Sequence, residues 1–136
     1  MSNPIITIET TVNAPIAKVW SAYTTPADIM KWNAASDDWH TTAAAVDLRE
    51  GGAFSSRMEA KDGSFGFDFA GTYTKIIPHQ HIVYAFGDRK ADVEFHQEGS
   101  GVKLVVKFEA ETDNPIEMQK GGWQAILNNF KKYVEA

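Results

Sequence analysis

The chain contains no cysteine. Disulfides, thiolate metal sites and thiol nucleophiles are excluded together by that single absence. Long apolar runs are missing too: no window approaches the ~18 consecutive apolar residues of a membrane-spanning helix. The opening Met1-Ser2-Asn3-Pro4 has no basic segment, and the first apolar run is only Pro4-Ile5-Ile6. No targeting signal is expected from such a start, and the expectation is a soluble, cytoplasmic protein. Basic charge is in short supply, with 13 Lys+Arg against 18 Asp+Glu and a net charge of -5. A mildly acidic surface argues against nucleic acid as the partner, because phosphate-backbone binding depends on clustered cations. There is no Gly-x-Ser-x-Gly elbow, no phosphate-binding glycine loop and no His-Glu-x-x-His. The common hydrolase, nucleotide-binding and zinc-protease mechanisms therefore have no motif support.

What the chain does have is apolar and aromatic mass. Of its 136 residues 43% are hydrophobic and 12% aromatic, which excludes a disordered reading. A chain of this length buries roughly 68% of the surface its unfolded form exposes and needs no covalent staple. With no repeat, low-complexity segment or linker, residues 1–136 read as a single domain.

The apolar period changes twice along the chain. Ile6, Ile8 and Thr10 alternate with Thr7 and Glu9, as in a strand. Asn13-Ala14-Pro15 reads as a helix start, Asn13 as cap and Pro15 in the first turn, with Ile16, Val19, Trp20 and Tyr23 on one stripe. Thr25-Pro26-Ala27-Asp28 starts a second, short helix whose apolar face is Ile29 and Trp32. Residues 33–42 are polar and small and read as a loop. From there the period is two: short strands are expected at Val46-Asp47-Leu48, Phe54–Met58, Phe67–Tyr73, Ile82–Phe86, Val93–Phe95 and Val102–Phe108. The turns between them include Asp62-Gly63, Gly87-Asp88-Arg89-Lys90 and Gly99-Ser100-Gly101. Consecutive hairpins imply an antiparallel sheet. Asn114-Pro115-Ile116-Glu117 then has the order cap, first-turn Pro, capping-box Glu, and a long helix follows with Ile116, Gln119, Trp123, Ile126, Leu127, Phe130 and Val134 on one face. Gly121-Gly122 inside that helix costs up to ~1 kcal/mol per Gly relative to Ala, so a close backbone neighbour or a bend is expected there.

Several of these stretches, taken in order, carry a resemblance. Asn13-Ala14-Pro15-Ile16 with Val19-Trp20, Lys31-Trp32, Asp47-Leu48-Arg49-Glu50-Gly51-Gly52-Ala53-Phe54, Gly71-Thr72-Tyr73 with Ile76 and Pro78, and Gly122-Trp123 resemble the domain named after the activator of heat-shock-chaperone ATPase. That family, AHSA1-like, belongs to the START-like, birch-pollen-allergen-like superfamily also labelled SRPBCC. The resemblance covers nearly the whole chain. It implies an α+β helix-grip fold: a curved seven-stranded antiparallel sheet, in the order β-α-α-β6-α, around a long C-terminal helix with a cavity between them. The strands and helices read from the periodicity give the same order.

Phased this way, the concave face carries Phe54, Met58, Phe67, Phe69, Tyr84, Phe86 and Phe95. Trp123, Ile126, Leu127 and Phe130 face it from the helix, and Trp32 and Trp39 close one end. Such a lining suits an apolar, flat ligand held by area burial and aromatic stacking. The same residues would equally serve as core, at roughly 1.5–3 kcal/mol per buried side chain. Gly71 and the Gly121-Gly122 pair favour open space at the centre, since they withdraw side chains from it.

Polar candidates are few. Asp37, Asp38 and His40 cluster in the loop after the second helix, where a metal corner or acid/base pair competes with plain backbone capping. His79 and His81 would point to opposite faces of a strand start, which disfavours joint metal ligation. Arg57, Asp68 and His96 fall on the outer face in this phasing and would enter the cavity if the register slipped by one. No metal site, cofactor or catalytic residue is assigned. The reading is a binding protein for a small hydrophobic molecule, lipid, polyketide-like or flavonoid-like. A polyketide cyclase/aromatase-type enzyme and a chaperone-ATPase-activating interaction module are the alternatives. A homodimer is open, but no residue pattern specifies its interface.

Overall fold

In the computed structural model, residues 4–136 are described; Met1, Ser2 and Asn3, where no targeting signal was expected, lie outside the described residues. Strand β1 (Ile5–Val12) leads into helices α1 (Ile16–Thr24) and α2 (Pro26–Trp32). Six strands follow: β2 (Trp39–Val46), β3 (Ala53–Ala60), β4 (Gly66–Ile77), β5 (His81–Phe86), β6 (Arg89–Glu98) and β7 (Gly101–Glu109). Helix α3 (Ile116–Glu135) ends the chain. The seven strands form one antiparallel sheet in the order β1-β7-β6-β5-β4-β3-β2. Its curl is assisted by register shifts between Thr41 and Ala43 and between Tyr73 and Lys75, since a bulge bends the strand that contains it. The α+β helix-grip architecture, with α3 held in the curl of the sheet, is the one expected.

The alternation seen in the sequence is the alternation of the two sheet faces. Ile82, Tyr84 and Phe86 on β5, Val93 and Phe95 on β6, and Val102, Leu104, Val106 and Phe108 on β7 are all buried under the helices. The intervening positions form an outer face of ion pairs: Arg57 with Glu59 and Asp68, His96 and Lys107 with Glu94, Lys103 with Glu9. Arg57, Asp68 and His96 are therefore outside the cavity, as phased.

Polar side chains of α3 fasten it to the edge of the sheet. Gln124 Nε2 donates to the Glu9 carbonyl and Lys131 Nζ to the Thr11 carbonyl, at 3.2 and 2.7 Å. These are carbonyls of an edge strand, which would otherwise be open to pairing with another chain. At the other end of the helix, Glu135 accepts the Asn13 backbone N–H at 2.7 Å, and the Tyr133 hydroxyl donates to Asp28 on α2.

Several local expectations are corrected. No helix has a side-chain cap: α1 and α3 begin after Pro15 and Pro115, α2 after Thr25, and none of the three side chains closes a capping bond. Asn13 instead meets Glu135 through its backbone. Ahead of α3 the ordering group is the buried Gln119, which accepts from the Glu111 N–H and donates to the carbonyls of Glu111 and Asn114. The loop after α2 stops at Asp38, and the first strand after the helices runs over Trp39–Val46 rather than Val46-Asp47-Leu48. Gly121 and Gly122 have no close neighbour: a Cβ on either would meet nothing within 4 Å. Gly71 does not open space either. A Cβ there would lie 2.2 Å from the Ala85 carbonyl oxygen and 2.9 Å from the Phe54 ring, so its missing side chain lets Phe54 lie across it.

Candidate ligand cavity

Between the concave face and the helices lies a cavity of about 310 Å³. Strands β3 and β4 supply Phe54, Ser56, Met58, Phe67, Phe69 and Tyr73; β5 supplies Ile82 and Tyr84. Helix α3 supplies Trp123, Ile126 and Leu127, while Tyr23, Ile29 and Trp32 come from α1 and α2. That volume is at the small end of the ~300–1,000 Å³ usual for small-molecule pockets.

Nine sequence-selected residues meet in this wall: Trp32, Phe54, Met58, Phe67, Phe69, Tyr84, Trp123, Ile126 and Leu127. Four others do not. Phe95 is buried against Trp20 and Tyr23, with ring centroids at 5.1 and 5.6 Å. Phe130 lies beneath Trp32 and Tyr23 at 4.9 and 5.2 Å, filling the base of the helix layer. Phe86 sits behind Phe69 and Trp123, with the Arg89 guanidinium 4.5 Å above its ring. Trp39 pairs with Ala60 and so projects to the sheet face of Met58, but it is not part of the wall and packs on Phe65 and Phe67 near the β3–β4 turn. The first three are core because other aromatic rings pack against each of them; Trp39 stands at the start of β2, an edge strand.

The aromatic wall is interlocked. Trp123 stacks flat on Phe108, centroids 3.8 Å apart and planes 9° from parallel, and presents its edge to Phe69. Tyr23 stacks on Trp32 at 5.2 Å, and the Trp32 indole N–H donates to the Ala22 carbonyl at 2.9 Å. Phe54 stands between Tyr73 and Tyr84 at 5.2 and 5.0 Å. Offset and edge-to-face contacts of this sort hold rings in fixed orientations and add to simple burial.

The Asp47–Phe54 segment holds one wall in place. Gly52 N–H donates to the Arg49 carbonyl at 2.9 Å in a turn so tight that a Cβ on Gly52 would fall 2.1 Å from the Asp47 oxygen. The turn then grips β4 on both sides of one residue: Gly51 N–H donates to the Tyr73 carbonyl and Tyr73 N–H to the Gly52 carbonyl, at 2.7 and 2.9 Å. Tyr73 is thus fixed by its backbone, and it is the register partner of Tyr84 on the next strand.

Tyr23, Tyr73 and Arg89 are among the lining residues that sequence reasoning missed as site residues. Tyr23 reads only as part of a helical stripe, Tyr73 as strand alternation, and Arg89 as part of a Gly-Asp turn. Burial pushes the Tyr73 phenol up to about 12, raises Tyr23 further, and raises Tyr84 well above the ordinary phenol value. Burial of the charged form is the larger cause for Tyr23 and Tyr84; repulsion between phenolates adds to it, from Tyr73 on Tyr23 and from Tyr23 and Tyr73 on Tyr84. All three therefore stay protonated at neutral pH. Among the described residues the lining has no Asp, Glu or His. The wall has hydroxyls, the Asn33 amide and one guanidinium for polar chemistry, without an acid/base pair.

The other polar candidates lie elsewhere. Asp38 accepts from the Ser36 hydroxyl at 2.5 Å and its carbonyl accepts the Lys61 N–H, a loop-closing role. His79 occupies a left-handed turn position (φ 65°) with its ring edge-on to Trp20. His81 meets Asp92 on the outer sheet face, so the two histidines diverge. His81, Asp92 and Glu94 do offer ligand atoms within 4.8 Å of one another. His96 and Lys107 already bind the Glu94 carboxylate at 2.9 and 3.1 Å and hold it below the usual carboxylate range. No helix among the described residues is long and apolar enough to cross a membrane.

Comparison with known proteins places this geometry. The sequence profile of the family described as Activator of Hsp90 ATPase homolog 1-like protein matches residues 13–135. The chain is similar to the solution structure of the AHSA1-like protein from Aeromonas hydrophila, at 46% identity and a TM-score of 0.92 over 97% of this chain and 92% of that one. It is 49% identical to Chr148 from Cytophaga hutchinsonii, with a TM-score of 0.83 over 96% and 91% of the two chains. Protein CV1439 from Chromobacterium violaceum is 26% identical, with a TM-score of 0.87 over 98% and 99%. No curated protein matches the chain.

Proposed function

The chain belongs to the Activator of Hsp90 ATPase homolog 1-like family, and from that premise we propose that it binds a small hydrophobic molecule in the cavity between sheet and C-terminal helix. The observation that supports this reading is the cavity itself: about 310 Å³ of space walled by Phe54, Phe69, Trp123 and their neighbours in a chain able to fill it. A few apolar side chains one or two carbons larger would have closed that space and gained about 0.8 kcal/mol per buried CH₂. Keeping it open sacrifices contact energy that a ligand can restore. The interlocked rings favour a flat body over a coiled chain, since stacked faces define slots rather than a round tunnel. A polyketide-like or flavonoid-like compound meets that description better than a lipid.

A cyclase reading has less support, because the wall has no carboxylate or imidazole to move protons. A chaperone-docking reading on the outer sheet face meets the row of ion pairs there, which would have to be desolvated on contact.

The test is titration with flavone and with palmitate, following Trp emission. Saturable change with flavone is expected, because Trp123 lines the cavity, and Ile126→Phe, which places a ring into the space, should remove it. No response to either probe would overturn the reading.

A further inference from the structure

Besides Thr24, Asn33 and Ser56, the polar groups of the cavity wall are three tyrosines and one arginine, and three of those four follow one line. Tyr73 on β4 and Tyr84 on β5 are register partners, and Arg89 on β6 is the partner of Phe86, two residues along from Tyr84. Directly paired residues project to the same face, so Tyr73, Tyr84 and Arg89 follow one another diagonally across the concave surface. Tyr23 joins them from α1, on the opposite wall.

These four groups have donors to spare. The hydroxyls of Tyr23, Tyr73 and Tyr84 make no hydrogen bond to the described residues, yet no buried side-chain polar atom among those residues is left without a partner. The hydroxyl oxygens are therefore in contact with the cavity space and not sealed in the packing. Arg89 has no carboxylate within ion-pairing distance among the described residues. Its Nη1 donates to the Glu109 carbonyl at 3.0 Å, while the Glu109 carboxylate takes the Lys90 backbone N–H. A guanidinium has five N–H donors and no acceptor; the group also lies over the Phe86 ring, but only the Glu109 carbonyl takes a hydrogen bond from it among the described residues, and the residue lines the cavity.

We propose that the occupant is an acid: a flat apolar body ending in a carboxylate, whose oxygens lie between the Arg89 guanidinium and the hydroxyls of Tyr73 and Tyr84. This rests on the hydrophobic-ligand reading and specifies its chemistry. Neutral phenols donate, a guanidinium donates, and no carboxylate in the wall repels the guest. An anion taken out of water needs such a set of donors to offset its desolvation. A neutral ketone or ester would use the hydroxyls but leave the cation unpaired.

The experiment uses three probes with one ring system at pH 7: 2-naphthoate, its methyl ester, and 2-methylnaphthalene, each titrated into the ¹⁵N-labelled protein and followed by amide shifts. The acid is expected to bind tenfold or more tightly than the ester, the increment of one hydrogen bond to a charged group. Arg89→Gln should bring that ratio close to one. If Arg89→Gln fails to fold, Tyr73→Phe with Tyr84→Phe keeps the rings and should weaken the acid about tenfold, with the hydrocarbon unchanged. Equal affinity for acid and ester, or preference for the ester, overturns the acid assignment and leaves the hydrophobic site standing. If none of the three shifts a cavity amide, both readings fall together.

Discussion

Trp123 of α3 lies flat on Phe108 of β7, 3.8 Å between ring centroids and 9° between planes. This stack is where the C-terminal helix rests on the sheet. It sets the height of Trp123 above Phe69 and hence the roof of the cavity. Phe108 is fully buried. Phe108→Ala should lower stability by about 3–5 kcal/mol, the range for removing a buried aromatic ring. Urea unfolding with the Trp emission as probe would measure it. A loss under 1 kcal/mol would mean that the helix is positioned by other contacts.

The glycines give a prediction of opposite signs. Gly71 and Gly122 look alike in the sequence, each a position inside a regular element that withdraws a side chain. Around Gly71 an added Cβ would overlap the Ala85 carbonyl oxygen and the Phe54 ring; around Gly122 it would meet nothing. Gly71→Ala should destabilise the protein, because a main-chain oxygen cannot step aside and β4 would have to shift. Gly122→Ala should raise stability by about 0.5–1 kcal/mol, the helix-propensity difference with no steric offset. Thermal melts of the two variants would test the pair, and a stabilised Gly71→Ala would refute the close approach.

That contrast also marks what the sequence could and could not reveal. Period two over Val102–Phe108 and period 3.6 over Ile116–Val134 are local patterns, so most of the strands, the long helix and the aromatic part of the lining on β3, β4 and α3 were legible. Strand β2 was hidden because His40-Thr41-Thr42-Ala43-Ala44-Ala45 is an edge strand with a bulge and few large residues to alternate. Val46-Asp47-Leu48 alternates, yet its last two residues belong to the tight turn before Gly52. The polar line was hidden for a different reason. Tyr23, Tyr73, Tyr84 and Arg89 are brought together by sheet register and by α1 folding over the sheet, and no spacing along the chain encodes that. The exclusion of Phe86, Phe95 and Phe130 from the cavity is likewise a matter of which rings distant in the chain pack against them.

Gln119 is the buried polar residue of α3, and its amide satisfies three backbone groups of the loop at Glu111 and Asn114. Gln119→Leu keeps the volume and removes all three bonds. The Glu111 N–H then loses its acceptor, so stability should fall by about 1–3 kcal/mol. Amide exchange at Glu111 should accelerate more than exchange in β7, because the loop loosens before the sheet does. Unchanged exchange at Glu111 would show that the loop is held without the side chain.

The buried tyrosines predict how stability responds to alkali. In the unfolded chain each phenol ionises at its ordinary value of 10.0; in the folded protein Tyr73 is pushed up to about 12, Tyr23 higher, and Tyr84 well above its ordinary value. Above pH 10 the unfolded state therefore releases protons that the folded state still holds. The stabilising preference for neutral phenols is fully present below pH 10 and is lost as the pH rises toward and through the folded values. Each such tyrosine should lower the unfolding free energy by about 1.4 kcal/mol per pH unit across that window. Tyr73→Phe should remove one tyrosine's share of the slope between pH 10 and 12 while leaving stability at pH 7 changed far less. Urea midpoints at pH 8, 10 and 11 for the wild type and the variant would show it. Equal slopes would mean that Tyr73 ionises as it does in water, with its hydroxyl outside the sheltered end of the cavity.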